Sequence, residues 1–323
     1  MSHATRRIPL WCRILPLALC LAFLAGPASA NLPLAGQHYP NGVEDFVVGA
    51  LPPPGVYLKN YFGLVQKDRL MDDDGKNTGF DFEADVTTVV PRFIWVTPYT
   101  ILGASWGVQA FFPLYWTDVR SSDLPVSSRE SGLGDIIVNP LILGWHFSPN
   151  FHMVAALDIW VPTGNYDRED WATQILSKNH WTFEPVVAVS YLHSGFDFSA
   201  KLMYDFNTEN DDYNLLTPTG IVKGKLTPGQ EFHVDYAVSY AHKEGLRYGL
   251  SGYSYWQTTK DEFKPDGGGT IKGDKGQVHA LGPTVKYWPD QGRFSAVLKH
   301  QWEFGAKNLP EGQATWLNVV WVF

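Results

Sequence analysis

The 323-residue chain carries ten histidines and thirty-three acidic residues, enough for metal binding or proton transfer, so their spacing is the first question. His152, His233, His279 and His300 stand apart, with no His-Glu-x-x-His pair or comparable ligand spacing, and no metal site is expected. Asp72-Asp73-Asp74-Gly75, followed by Lys76-Asn77, sets carboxylates beside a turn-forming glycine. The spacing departs from a calcium loop and no Glu closes it, so an acidic surface loop is expected. Gly267-Gly268-Gly269, after Asp266, lacks the Gly-Lys-Ser/Thr ending of a phosphate loop and reads as a loop tip, so no cofactor is expected. His300 invites a hydrolytic reading because it falls between Leu298 and Trp302 on an otherwise apolar strand face. A Ser–His pair needs hydrogen-bond reach, yet Ala314 to Phe323 contains no Ser. A lipid-modifying enzyme is therefore the weakest of three readings, and the chain is expected not to be an enzyme.

The first thirty residues read as a signal peptide. Arg6 and Arg7 precede an apolar run, Ile14 to Ala25, and Pro27-Ala28-Ser29-Ala30 ends in the small-x-small pattern of a cleavage site. Both cysteines, Cys12 and Cys20, fall inside this leader, so a mature chain starting at Asn31 has neither a disulfide nor a thiol nucleophile. Losing the leader's three arginines, with no acid lost, takes the formal charge from −8 to −11. So acidic an exported chain is not expected to bind nucleic acid.

Period-two alternation positions the remaining candidates. From Phe196 to Phe206 the even positions are Phe196, Phe198, Ala200, Leu202, Tyr204 and Phe206, while the odd ones are Asp197, Ser199, Lys201, Met203 and Asp205. Phe232 to Tyr240 and Phe294 to Phe304 repeat the pattern, and looser versions run through Trp106 to Trp116, Phe151 to Val161, Trp181 to Tyr191 and Leu246 to Trp256. About twelve strands result. Tight turns such as Thr97-Pro98-Tyr99-Thr100, Ser148-Pro149-Asn150 and His193-Ser194-Gly195 alternate with long polar stretches: Lys67 to Gly79, Thr117 to Ser131, Thr163 to Asn179, Asn207 to Gly229 and Lys260 to Asp274. An up-and-down barrel across an outer membrane produces this order, because successive hairpins emerge on opposite sides. The fold class is therefore all-β, a transmembrane antiparallel barrel spanning 55–323, with short periplasmic turns and long extracellular loops. Its apolar face meets outer-membrane lipid.

Inward residues follow from parity. Asp158, Glu184, Asp197, Lys201, Asp205, His233, Asp235, Arg293, Lys299 and Glu303 are expected to line the lumen, with either a selective constriction or a salt-bridged plug as the outcome. Segment 31–54 lacks alternation and ends in Pro52-Pro53-Pro54, making it a periplasmic tail or a plug. Pro91, Pro113, Pro140, Pro185 and Pro283 fall inside expected strands and remove ladder donors there, favouring bulges or lateral openings. Tyr166, Trp171 and Tyr213, in outer loops, are candidates for capturing a solute.

Gly132-Leu133-Gly134-Asp135, Asn139-Pro140 and Leu143-Gly144-Trp145-His146 resemble the outer-membrane transporter-like family named after the meta-cleavage pathway of phenol degradation. Gly55-Val56-Tyr57-Leu58-Lys59-Asn60-Tyr61 and Trp160-Val161-Pro162-Thr163-Gly164-Asn165-Tyr166 extend the likeness over nearly the whole mature chain. It implies a barrel associated with aromatic degradation that passes small hydrophobic or aromatic compounds across the outer membrane of a Gram-negative bacterium. No binding residue carries over, and Gly132, Gly134 and Asp135 enter as structural motif positions. The terminal strand ending in Phe323 resembles the signal read by barrel-assembly machinery. The first reading is thus a passive outer-membrane channel. The rival is a non-transporting surface barrel that binds partners through its outer loops.

Overall fold

The computed structural model describes residues 37–323 apart from 124–125, 171, 218–219, 244 and 290–292, so the expected signal peptide and Trp171 lie outside the described residues. Among these residues the alternating segments close into an antiparallel barrel of twelve staves. They are β1 (Gly55–Leu70), β2 (Glu83–Ile101), β3 (Ala104–Phe111), β6 (Ile136–His146), β7 (Phe151–Val161), β8 (Thr182–His193), β9 (Phe196–Asn207), β12 (Glu231–Lys243), β13 (Leu246–Gln257), β16 (Gln277–Tyr287), β17 (Phe294–Lys307) and β18 (Pro310–Val322). Each stave pairs with the next, and β1 joins β18 to close the ring, which leaves no edge.

Parity decides which way each side chain points. On β9, Asp197, Ser199, Lys201, Met203 and Asp205 are buried while Phe196, Phe198, Leu202 and Phe206 are exposed. The outside of the barrel therefore carries Leu64, Phe93, Trp116, Val187, Leu250, Leu298 and Trp302, and the inside carries the charge. A water-soluble monomer rarely shows apolar patches beyond a few hundred Å². An exterior this apolar calls for an apolar surround. Among the described residues no helix is long and apolar enough to cross a membrane, which bears only on helices.

Several boundaries differ from expectation. Thr97 to Thr100 continues β2, and the turn is Leu102-Gly103, both with positive φ (52° and 74°), a backbone that a tight hairpin demands. The expected loop Thr117 to Ser131 is largely a hairpin, β4 (Leu114–Ser121) and β5 (Val126–Leu133), with β4 paired to the outer half of β2. Its polar residues need no buried face, because backbone pairing beyond the apolar band is solvated on both sides. The expected single strand from Trp106 to Trp116 breaks between β3 and β4 at Phe112-Pro113, since proline offers no ladder donor. Pro140 sits at a register shift between Val138 and Leu141. The long stretches after β9 and β13 also form strands: β10 (Asn210–Thr217), β11 (Gly220–Thr227), β14 (Glu262–Pro265) and β15 (Ile271–Lys272) make a separate four-stranded sheet. Tyr213, an expected capture residue, is buried with Leu226 and Phe263 beneath that sheet. Beside it, the short helix α1 (Thr173–Leu176) is the helix of the described residues.

Candidate functional site

Residues 37–54 run through the barrel interior, and inward side chains satisfy their backbone. Asp235 accepts from the Gly42 N–H at 2.8 Å, the Glu44 N–H at 3.1 Å and the Tyr39 hydroxyl at 2.8 Å. The Lys299 ammonium donates to the carbonyls of Gly42 and Glu44, and the Asn318 amide donates to the Val43 carbonyl at 2.9 Å. Further on, the Val47 N–H meets Asp197 at 3.0 Å and the Gly49 N–H meets the Ser190 hydroxyl at 2.8 Å. A segment inside a barrel has no sheet partner, so side chains must supply the hydrogen bonds. Gly42 is required here: its φ is +76°, and a Cβ would stand 2.5 Å from the Gln301 amide oxygen and 2.6 Å from the Tyr253 ring.

Charge on the segment is paired with the wall. Glu44 meets Lys59 at 2.8 Å and Arg92 at 2.9 Å, and Asp45 meets Lys59 at 3.4 Å. Removing either partner would leave a charge buried alone, which is what makes such pairs costly to break. Nearer the outer rim His38 stacks on Trp160 (5.0 Å, 10°) and bonds Thr182 at 2.7 Å and Asp135 at 2.9 Å.

Asp135, between β5 and β6, is a node of this rim. Its carboxylate also accepts from the Thr163, Gly164 and Lys178 N–H groups (3.1, 3.0 and 2.8 Å) and the Ser177 hydroxyl (2.6 Å). Burial acts to raise its pKa, but the His38 and Ser177 bonds outweigh this and hold it at about 2. A Cβ on Gly132 would meet Asn165 at 2.5 Å and one on Gly134 would meet Tyr115 at 2.3 Å, so both glycines make room for neighbouring side chains.

Three cavities follow the lumen. Their order is read along β1: Val65 and Lys67 border the outer one, Tyr61 the middle one, and Tyr57 and Lys59 the periplasmic-turn side. The outer cavity, about 180 Å³, has Phe82, Val119 and Leu309 in its wall. The inner one, about 200 Å³, combines Leu51, Ile142 and Val154 with Lys59 and Arg92. Between them Tyr39, Val43, Phe111, Tyr115 and Trp160 leave about 30 Å³. An apolar cavity of about 150 Å³ holds a benzene ring. By volume the two larger spaces admit a single aromatic ring, the inner one with Glu44, Asp45, Asp158, Lys201 and Lys286 also in its wall, and the middle one does not admit it while residues 37–54 hold this position.

Of the residues expected inside, Asp158, Glu184, Asp197, Lys201, Asp205, His233, Asp235, Lys299 and Glu303 are buried. Arg293 is placed differently. It precedes β17, is exposed, and uses its carbonyl to accept the Val322 N–H at 2.9 Å. The strand begins at Phe294, as the alternation indicates, and Arg293 lies one residue outside it, where parity no longer applies. His300, on the outer face, bonds the Thr315 hydroxyl at 2.8 Å, which satisfies a ring nitrogen there. Asp72 accepts from the Asp74 and Lys76 N–H groups (2.9 and 2.8 Å), an ordinary loop cap. Sequence reading missed Lys59, Arg92 and Gln109, although all three stand at inward parity on alternating strands. Glu44 and Asp45 carried no periodic signal at all.

Comparisons bear on this geometry at two levels. A family model described as "Putative MetA-pathway of phenol degradation" matches residues 67–319. No curated protein matches the sequence. Among solved structures, an outer-membrane channel from Pseudomonas putida F1 superposes with a TM-score of 0.74 at 17% identity, covering 87% of this chain and all of that one. The Pseudomonas putida toluene transporter TodX aligns with a TM-score of 0.44 at 9% identity over 87% of this chain and 91% of that one. A KdgM porin aligns at 0.38 and 7%, over 83% of this chain and 99% of that one.

Proposed function

Because the chain belongs to the family described as the MetA pathway of phenol degradation, matched over residues 67–319, we propose that it is a passive outer-membrane channel for small hydrophobic or aromatic solutes. One observation carries the reading: two lumen cavities of about 200 and 180 Å³, partly apolar, separated by a narrow zone where residues of the 37–54 segment meet the wall. Each cavity matches one aromatic ring. Segment 37–54 acts as a plug whose displacement joins them. Its contacts combine hydrogen bonds and ion pairs, which entering water can replace, with apolar packing of Tyr39 and Val43 against Tyr61, Val90 and Trp160 and of Leu51 against Tyr57, Ile142 and Val154, which displacement must break. Transport is driven by the solute gradient alone, and residues 1–30 serve as the export signal.

Sealing of the middle zone equally favours the second reading, a closed surface barrel. Deleting the gene in its host separates the two. The channel reading expects slower growth of the deletion strain on an aromatic carbon source supplied at low concentration. Unchanged growth on every aromatic source tested favours the closed barrel.

A further inference from the structure

Four acids stand side by side on the inner wall at one height. Strand register sets Asp158 on β7 opposite Glu184 on β8, brings Glu184 beside Asp205 on β9, and sets Asp205 opposite Glu231 on β12. All four are buried, and like charges this close in a dry interior require a compensating cation or shared protons. Asp158 is satisfied by the Gln109 and Asn139 amides, at 3.2 and 2.7 Å. Lys201 is a cation near Glu184, as Lys178 is near Glu231 and Arg92 near Asp158, and the Lys201 ammonium lies 4.5 Å over the Tyr39 ring.

His233, two residues beyond Glu231, is 1% exposed, and neither ring nitrogen has a hydrogen-bond partner. Both Asp205 carboxylate oxygens and one Glu184 oxygen likewise have no N–H or hydroxyl donor, Asp205 lying within hydrogen-bond reach of the Glu184 and Glu231 carboxyls, and the other Glu184 oxygen accepts from the Trp160 N–H at 3.1 Å. A buried imidazole normally has both nitrogens satisfied, so this one, aimed at two carboxylates, points to a ligand. Donor atoms of Glu184, Asp205 and His233 all lie within 4.8 Å of one another, and His233 Nε2 is 3.4 Å from Asp205 Oδ2.

We propose that Glu184, Asp205 and His233 bind a divalent transition-metal cation, zinc by preference, inside the barrel. One imidazole with two carboxylates suits zinc, whereas calcium and magnesium take all-oxygen shells. Tetrahedral zinc with bonds of about 2.1 Å sets its donors about 3.4 Å apart, the spacing already present between His233 and Asp205. Glu184 reaches the same point by rotating its flexible side chain. The three ligands come from three staves, with no local motif to reveal them. The site stands independently of which solute crosses. It also neighbours the plug, since the Tyr39 ring packs 4.9 Å from His233.

The test is metal content after refolding. The mature chain is unfolded in urea with EDTA, refolded into detergent with zinc, gel-filtered and assayed by mass spectrometry, and refolded in parallel with cobalt. One zinc per chain is expected, together with visible cobalt bands of four- or five-coordination. Asp205→Asn with His233→Gln lowers affinity by about tenfold or more. Wild-type protein retaining no more zinc than the EDTA control overturns the proposal and assigns shared protons to the acids. Binding unchanged in the double variant overturns it as well. If that variant does not fold, anomalous diffraction at the zinc edge of wild-type crystals decides. A peak among the three side chains supports the site, and a peak elsewhere or none refutes it.

Discussion

Asp135 concentrates more of the rim's hydrogen bonding than its position between two strands suggests. Its carboxylate gathers three N–H groups, a hydroxyl and the His38 ring, tying β5, β6, the α1 turn and the start of the interior segment to one atom pair. Replacing it by Ala leaves buried donors unpaired, and a cost of about 1–3 kcal/mol is expected, read as a lower urea midpoint. The pH dependence has a defined sign. Asp135's pKa is held at about 2, below its ordinary 3.8, so its contribution is complete above about pH 4 and disappears as pH falls through 2. The wild type loses stability over that window, and Asp135→Ala shows a smaller loss. Gly42 is the second decisive residue. Gly42→Val forces a Cβ against Gln301 and Tyr253 at a positive φ, so the segment must leave its seat while the barrel persists. Single-channel recording then shows a steady open conductance absent from the wild type. A variant as silent as the wild type, with heat-modifiable gel migration intact, contradicts the seat assigned to Gly42.

At the scale of elements, alternation reports one face, and that is why the staves were legible. Asp197, Lys201 and Asp205 stand opposite Phe196, Phe198 and Phe206, and their burial follows from parity alone. Strands outside the apolar band carry no such signal, so β4, β5, β10 and β11 read as polar loops. Segment 31–54 reads from its missing alternation and its prolines as a periplasmic tail or a plug, with nothing local to choose between them. Its contacts depend on Asp235, Lys299 and Asn318, far along the chain, and nothing local to the segment announces them. The outer sheet is hydrogen-bonded apart from the barrel staves and has its own small core of Tyr213, Leu226 and Phe263. Tyr213→Ala removes its largest buried ring at a cost of about 3 kcal/mol to that sheet. Limited proteolysis is expected to cut β10 and β11 in this variant while leaving the barrel's heat-modifiable band unchanged. Loss of that band would place Tyr213 in the barrel's own stability.

The whole molecule inverts a soluble protein, with charge inside and aromatic rings outside, and fills its interior with one stretch of its own chain. Closure of twelve staves provides the space, and residues 37–54 divide it into two ring-sized cavities. Charge inside therefore serves first to hold this segment: Lys59, Arg92, Lys299, Asp235 and Asp197 all contact it. The central claim is that an apolar aromatic solute passes where that segment now sits. Plain phospholipid passes such solutes unaided, so the measurement uses vesicles whose outer leaflet is lipopolysaccharide and follows entry of radiolabelled toluene. Protein-containing vesicles are predicted to fill faster than vesicles with heat-unfolded protein, and faster still with Gly42→Val. Equal rates for all three would contradict the account.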